Sequence, residues 1–320
     1  MKTIRKMRMV RPADALLPAA YMIAAALGKS KVAGCLYLCQ FASLLLGLTA
    51  ARGLRQAFSL QPSLRRVRGS VLTALLIQVC GGLIQCLFLC LRPGFIPFVP
   101  IAFGFAGLLL NTEHVFYEYL YATGDGSSAS LCRFITSALM LSGMLMTAEE
   151  ALSGLSWAVA YWPMVMAALS TAVSGVIGWN IGSPLKGKLN DQVLKCAPLS
   201  ILQSALYPAV WLLLWLIPVS PLRAAQTPMP FFAGLIVYEL CRAPFRRGAA
   251  EAFAMNRTLL IVSAVALTLA VLLSLPPVVA MLTPSLGPLC EEIRCACLSV
   301  VVACACGFGM FGNVRRRNSE

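Results

Sequence analysis

Charged residues are scarce in this sequence. Asp, Glu, Lys and Arg make up 12% of it, whereas soluble domains carry about a quarter. That deficit excludes an ordinary soluble fold. Acid is scarcer than base, with 12 Asp and Glu against 26 Lys and Arg, and there is one histidine. No nucleotide-binding loop and no carboxylate pair in a plausible cleft accompany that histidine, so catalysis has no support and no cofactor is expected. The glycines of "GFGMFG" (307–312) close an apolar run, where small residues serve helix packing. Paired-thiol spacing is missing too. None of the 13 cysteines forms a CxxC pair, and the CxC at Cys295 and Cys297 would point its thiols about 200° apart on a helix. Neither a metal site nor a disulfide framework is expected, and cysteine reads as a small, mildly apolar packing residue.

What the chain does have is apolar length. It is 59% hydrophobic, with a mean hydropathy of +0.80. Apolar windows fall at 14–28, 32–51, 70–91, 94–111, 129–147, 155–179, 196–218, 229–241, 257–277 and 288–312. Most approach the roughly 20 residues that cross a hydrocarbon core. Helix is the expected state, because backbone polar groups in lipid must pair within the segment. The long unalternating runs exclude a barrel. The expectation is an all-α polytopic transmembrane bundle of about ten spans.

The net charge of +14 would suit nucleic acid if the cations were clustered on one surface, but they sit in short loops. With the N-terminus cytoplasmic, twenty Lys and Arg fall on that side, within 2–11, 52–68, 186–195, 242–257 and 315–317. Four fall opposite: Lys29, Lys31, Arg92 and Arg223. This asymmetry predicts a multi-pass protein of the plasma membrane with both termini cytoplasmic, lipids as partners and no nucleic acid. The basic, apolar N-terminal stretch is expected to be the first span rather than a signal peptide, since its removal would spoil the alternation.

One short pattern occurs twice. "RGLRQAF" (52–58) and "RGAAEAF" (247–253) keep Arg, Gly, Ala and Phe in register and follow apolar windows two and eight. Six windows apart means the same orientation, hence a parallel repeat about an axis along the membrane normal. Such an elbow would turn on glycine and lay an amphipathic turn on the headgroups, with Arg52 and Arg247 as phosphate or headgroup ligands. The plainer reading is that any short cytoplasmic loop is basic.

Several stretches resemble a known superfamily. "VAGCLYLCQFASLLLGLTAARGLRQAF" (32–58), "YEYLYATGDGSSASLCRFITSALMLSGML" (117–145) and "LKCAPLSILQSALYPAVWLLLW" (194–215) are similar in pattern to parts of the multidrug/oligosaccharidyl-lipid/polysaccharide exporters. That superfamily includes MATE-type exporters and lipid-linked oligosaccharide flippases. The resemblance implies two parallel-related lobes, 1–183 with six helices and 184–320 with four. It implies alternating access acting on lipid-linked saccharide or amphipathic small molecules. Members carry twelve or more helices, so this would be a reduced one, its second lobe covered by a second copy or a partner. Two other readings remain: a ten-helix drug/metabolite-type exporter with an inverted repeat, and a non-transporting scaffold derived from a carrier.

Buried charge is costly and usually kept for function, which selects the candidate residues. Glu239 in "GLIVYELCRAP" is the first choice as a coupling site, set against an interfacial pair with Arg242 at i+3. Gln78 and Gln85 lie seven apart on one helix face and would either line a cavity or hydrogen-bond across helices; Gln40 and Gln203 are weaker cases. Asp14 is a cavity candidate that would also serve as a cap. Arg133 would bind a phosphate or headgroup, or snorkel. His114 and Glu118, at i and i+4, read as a proton-linked pair or as an interfacial one, and Glu291 with Arg294 as a local ion pair.

Overall fold

The computed structural model describes residues 11–46, 54, 64–91, 98–123, 125–148, 161–181, 192–241 and 249–312. Among them there is no strand, and eleven α-helices carry the fold: α1 (Leu16–Ala26), α2 (Ser30–Leu46), α3 (Leu64–Leu91), α4 (Phe98–Ala122), α5 (Gly126–Met146), α6 (Trp162–Ile181), α7 (Gln192–Leu216), α8 (Met229–Cys241), α9 (Ala249–Leu272), α10 (Pro276–Leu286) and α11 (Pro288–Gly312). Short 3-10 turns at Pro12–Ala15 and Pro221–Ala224 complete them. Each of the ten apolar windows overlaps one main helix, although α3, α4 and α9 run past theirs, and α10 lies almost wholly between the ninth and tenth windows.

The breaks have local causes. Between α1 and α2, Gly28 adopts φ +84, and the amides of Gly28 and Lys29 donate to the carbonyls of Ala25 and Ala24. This glycine-ended cap needs a left-handed residue, which glycine supplies without a Cβ clash. Asp125 caps α5: its carboxylate accepts from the Ser128 amide at 3.1 Å and the Ser127 hydroxyl at 3.0 Å. Between α9 and α10 the chain bends by 80°. Pro276 and Pro277 cannot donate to the α9 ladder, but they suit the first turn of a new helix. The amides of Ser274 and Leu275 meanwhile tighten onto Val271 and Leu272.

By length and composition, two described helices are apolar enough to cross a membrane, Gly126–Met146 and Trp162–Trp179. A third is added if Asn256–Leu272 with Pro276–Leu282 is one broken span. On α9, Leu260, Ile261, Val265 and Val271 are all exposed, an apolar face that suits lipid better than water.

The contacts divide the chain into two compact units, Ala24–Leu202 with the N-terminal residues, and Val10–Ile23 with Gln203–Glu320. In the first, α4 is the central helix, with α2, α3, α5 and α6 packed on it. Backbones touch where α4 crosses α2: a Cβ on Gly107 would lie 2.9 Å from the Cys39 carbonyl, so only glycine permits this approach. Leu54, the described residue of the first elbow, is buried with Val71, Ala74, Val115 and Tyr119. In the second unit, α8, α9 and α10 pack on α11, and Cys304 is buried between Cys241 and Leu259. Residues 249–253 of the second elbow are the first turns of α9 rather than a loop.

Candidate functional site

The C-terminal half of α4 carries an unusual amount of polarity for an apolar helix: Asn111, Glu113, His114 and Glu118 within eight residues, all buried. Helical spacing puts Glu113 beside Tyr117, and His114 beside Glu118, each at i and i+4. The Asp125 cap then starts α5 so that Arg133, two turns in, faces α4. Arg133 Nη1 donates to Glu113 Oε2 at 2.5 Å, and Nη2 lies 2.9 Å from His114 Nδ1. The guanidinium carbon sits 5.0 Å from the Tyr117 ring centroid, a cation–π arrangement. From α6, Ser174 reaches Glu113 Oε1 at 3.5 Å.

Chemistry fixes the histidine tautomer. A guanidinium has only donors, so Nδ1 opposite Nη2 must be the acceptor. The ring proton therefore sits on Nε2, which lies 3.6 Å from Glu118 Oε1. Glu113 and Glu118 are both completely buried. A buried ion pair is held by geometry and extra hydrogen bonds, and breaking it leaves an uncompensated charge. The arrangement connects α4 and α5 through one arginine and ends on a titratable imidazole.

The other sequence candidates are placed as follows. Gln78 Nε2 donates to Ser43 Oγ at 3.0 Å and Gln85 Nε2 to the Cys39 carbonyl at 2.8 Å, so both join α3 to α2. Asn111 adds a parallel bond to the Gln40 carbonyl at 3.0 Å. Glu239 is buried in the last turn of α8, next to Tyr238, whose hydroxyl donates to the Gln203 carbonyl. Asp14 is buried in the Pro12–Ala15 turn that packs on α8. Gln78 and Gln85 belong to the first unit, Glu239 and Asp14 to the second. Arg133 is buried in its ion pair with Glu113. Arg52, Arg242 and Arg247 lie outside the described residues. Glu291 pairs with Arg294 at i+3.

Three residues carry more than the sequence reading assigned them. Glu113 and Asn111 were detectable as polar positions interrupting "FGFAGLLLNTEHV", but their partners are on other helices. Glu292 is the third. Its carboxylate accepts from the Gln226 and Thr227 amides at 2.7 and 3.0 Å and from the Thr227 hydroxyl at 3.0 Å, fixing the turn before α8. Among the described residues no group of three His, Cys, Asp or Glu is placed to hold a metal ion.

The chain matches no protein-family model, no curated protein and no solved structure.

Proposed function

We propose that this chain is a multi-pass carrier of the plasma membrane, of exporter or flippase type, without enzymatic activity. In this reading about ten helices cross the bilayer with both termini cytoplasmic, in two parallel-related lobes as in the multidrug/oligosaccharidyl-lipid/polysaccharide exporters. Its substrates are lipid-linked saccharides or amphipathic small molecules, and a second copy or a partner packs against the lobe of residues 184–320. The observation that carries the reading is the buried Glu113–Arg133–His114 group among apolar helices. A scaffold needs no titratable group at depth, whereas charge retained there commonly marks a transport or proton pathway. Glu239 and Asp14, buried on packed elements of the second unit, are the substrate- or ion-facing candidates of that half.

A second reading has its own support. Gln78 and Gln85 are spent on helix α2, which is what a non-transporting scaffold would do with them.

Purified full chain in liposomes separates the two. A fluorescent lipophilic cation and a fluorescent polyprenyl-linked saccharide serve as probes, each with and without a pH gradient. The carrier reading expects at least one probe to move faster than in empty liposomes, and Glu239→Gln to lose gradient-driven movement while still inserting. If neither probe moves above background, the scaffold reading replaces it.

A further inference from the structure

We infer that His114 and Glu118 form a proton-binding switch, and that its protonation releases Arg133 from His114 and thereby loosens α5 from α4. This rests on the carrier reading and deepens it, naming the coupling ion as the proton.

The argument begins with the donor set. In the resting geometry the Nδ1 lone pair of His114 is engaged by an Arg133 N–H at 2.9 Å, and arginine stays charged at any physiological pH. A proton arriving from water can form a bond only at Nδ1, because Nε2 already bears the ring hydrogen. The resulting imidazolium has N–H on both nitrogens. Donor then faces donor and cation faces cation across the Arg133–His114 contact, so that contact cannot survive. The new charge is compensated from the other side, where Glu118 Oε1 is 3.6 Å from Nε2. Arg133 keeps its bond to Glu113 and its place over the Tyr117 ring but loses its contact with His114, which weakens the hold of α5 on α4. Loss of the proton from Nδ1 back to water restores the lone pair and the contact. One proton in and one out completes the cycle, with no other reactant.

Other titratable and charged groups surround the pair. Glu113 and Tyr117 face the pair from α4 itself, Arg133 and Cys132 from α5 and Ser174 from α6. Helix α6 carries no titratable residue. The charged residues of the other two helices packed on α4 are Lys31 on α2 and Arg65, Arg66 and Arg68 on α3, all cations. Glu113 already accepts from Arg133 and Ser174, and the Nδ1 lone pair of the imidazole is the site whose protonation breaks the Arg133–His114 contact.

The chain's single histidine makes the test direct. Full chain labelled with 15N-histidine, in lipid bilayers, gives one pair of ring nitrogen signals. The switch expects an Nε2–H tautomer at about pH 8, conversion to imidazolium between about pH 5 and 8, and loss of the Arg133–His114 proximity signal as it converts. Glu118→Gln is expected to lower the midpoint by about one to three pH units. The paired substitution Glu113→Gln with Arg133→Gln, which removes one charge of each sign, is expected to raise it. A resting Nδ1–H tautomer, a ring that stays neutral below about pH 4, or a proximity signal that persists on protonation overturns the proposal. The wild-type titration decides alone if Glu118→Gln does not fold. Titration with neither probe moving above background supports the switch and retires the carrier reading. Transport without titration does the reverse.

Discussion

Gly234 of α8 lies directly beneath the hydroxyl of Tyr207, and a Cβ at that position would overlap it. The same Cβ would sit 2.6 Å from the Ser299 carbonyl of α11. Tyr207 is held there because its hydroxyl donates to the Phe231 carbonyl at 2.8 Å and its ring stacks on Phe231 and Tyr238. Trp211 adds a bond from Nε1 to Ser299 Oγ at 2.8 Å. The second unit is therefore assembled around a residue with no side chain.

Gly234→Ala should destabilise the protein by about 1–3 kcal/mol, since a backbone carbonyl cannot rotate away as a side chain can. Thermal unfolding in detergent reads this as a lowered Tm. Tyr207→Phe in the Ala background should recover only part of the loss, because Ser299 remains in the way. A Gly234→Ala protein with an unchanged Tm would mean that α8 and α11 do not approach this closely.

Gln85 and Asn111 both donate to carbonyls of α2, one from α3 and one from α4. Replacing either with Leu should cost about 0.6 kcal/mol, with an upper range near 1.7. The double variant should depart from the sum of the two, because the acceptors are adjacent carbonyls of α2 and a shift at one moves the other. Transport, if present, should fall only in proportion to folded protein. Full stability with abolished transport would instead place these side chains on a substrate path.

At Asp125 the prediction concerns pH. The bond from Ser128 holds this carboxyl below the usual Asp range, so its folded value lies under its unfolded value of about 3.9. The sign follows: the cap's contribution is fully present above about pH 4 and is lost as pH falls through the folded value. Asp125→Ala should cost about 1 kcal/mol near neutral pH. The gap in Tm between the two proteins should close below about pH 4. A gap that persists in acid would show that packing, not the carboxylate cap, sets the difference.

Much of the local architecture was legible in advance. Hydrophobic length marked ten helical segments, because a long unalternating apolar run in a charge-poor chain has few alternatives. The start of α5 was not read from "GDGSS": the fifth window opens at residue 129, and the structure begins the helix at Gly126 with Asp125 as its cap. The neighbours at i+4 and i+3, His114 with Glu118 and Glu291 with Arg294, follow from helix geometry alone. Pro276 and Pro277 fell at the very end of one window, and the helix they open was not separated from it. Composition there stays apolar on both sides of the bend.

What the sequence by itself determined is thus everything that depends on residues within about one turn of each other: helix, cap, break and same-face neighbour. Only the tertiary structure decided which faces meet. Arg133, read alone, is a long cation that reaches for headgroups; its pairing with Glu113 and His114 exists because α5 presents that face to α4. Gln78 and Gln85 were correctly placed on one face of α3, but whether that face met a cavity or α2 depended on the rotation of two helices about their axes. A residue's chemistry fixes what it can bond, and the bond itself requires a partner brought from 19 to 46 residues away in these pairs. No local periodicity encodes that meeting, because helix rotation and crossing are set by the summed packing of whole faces.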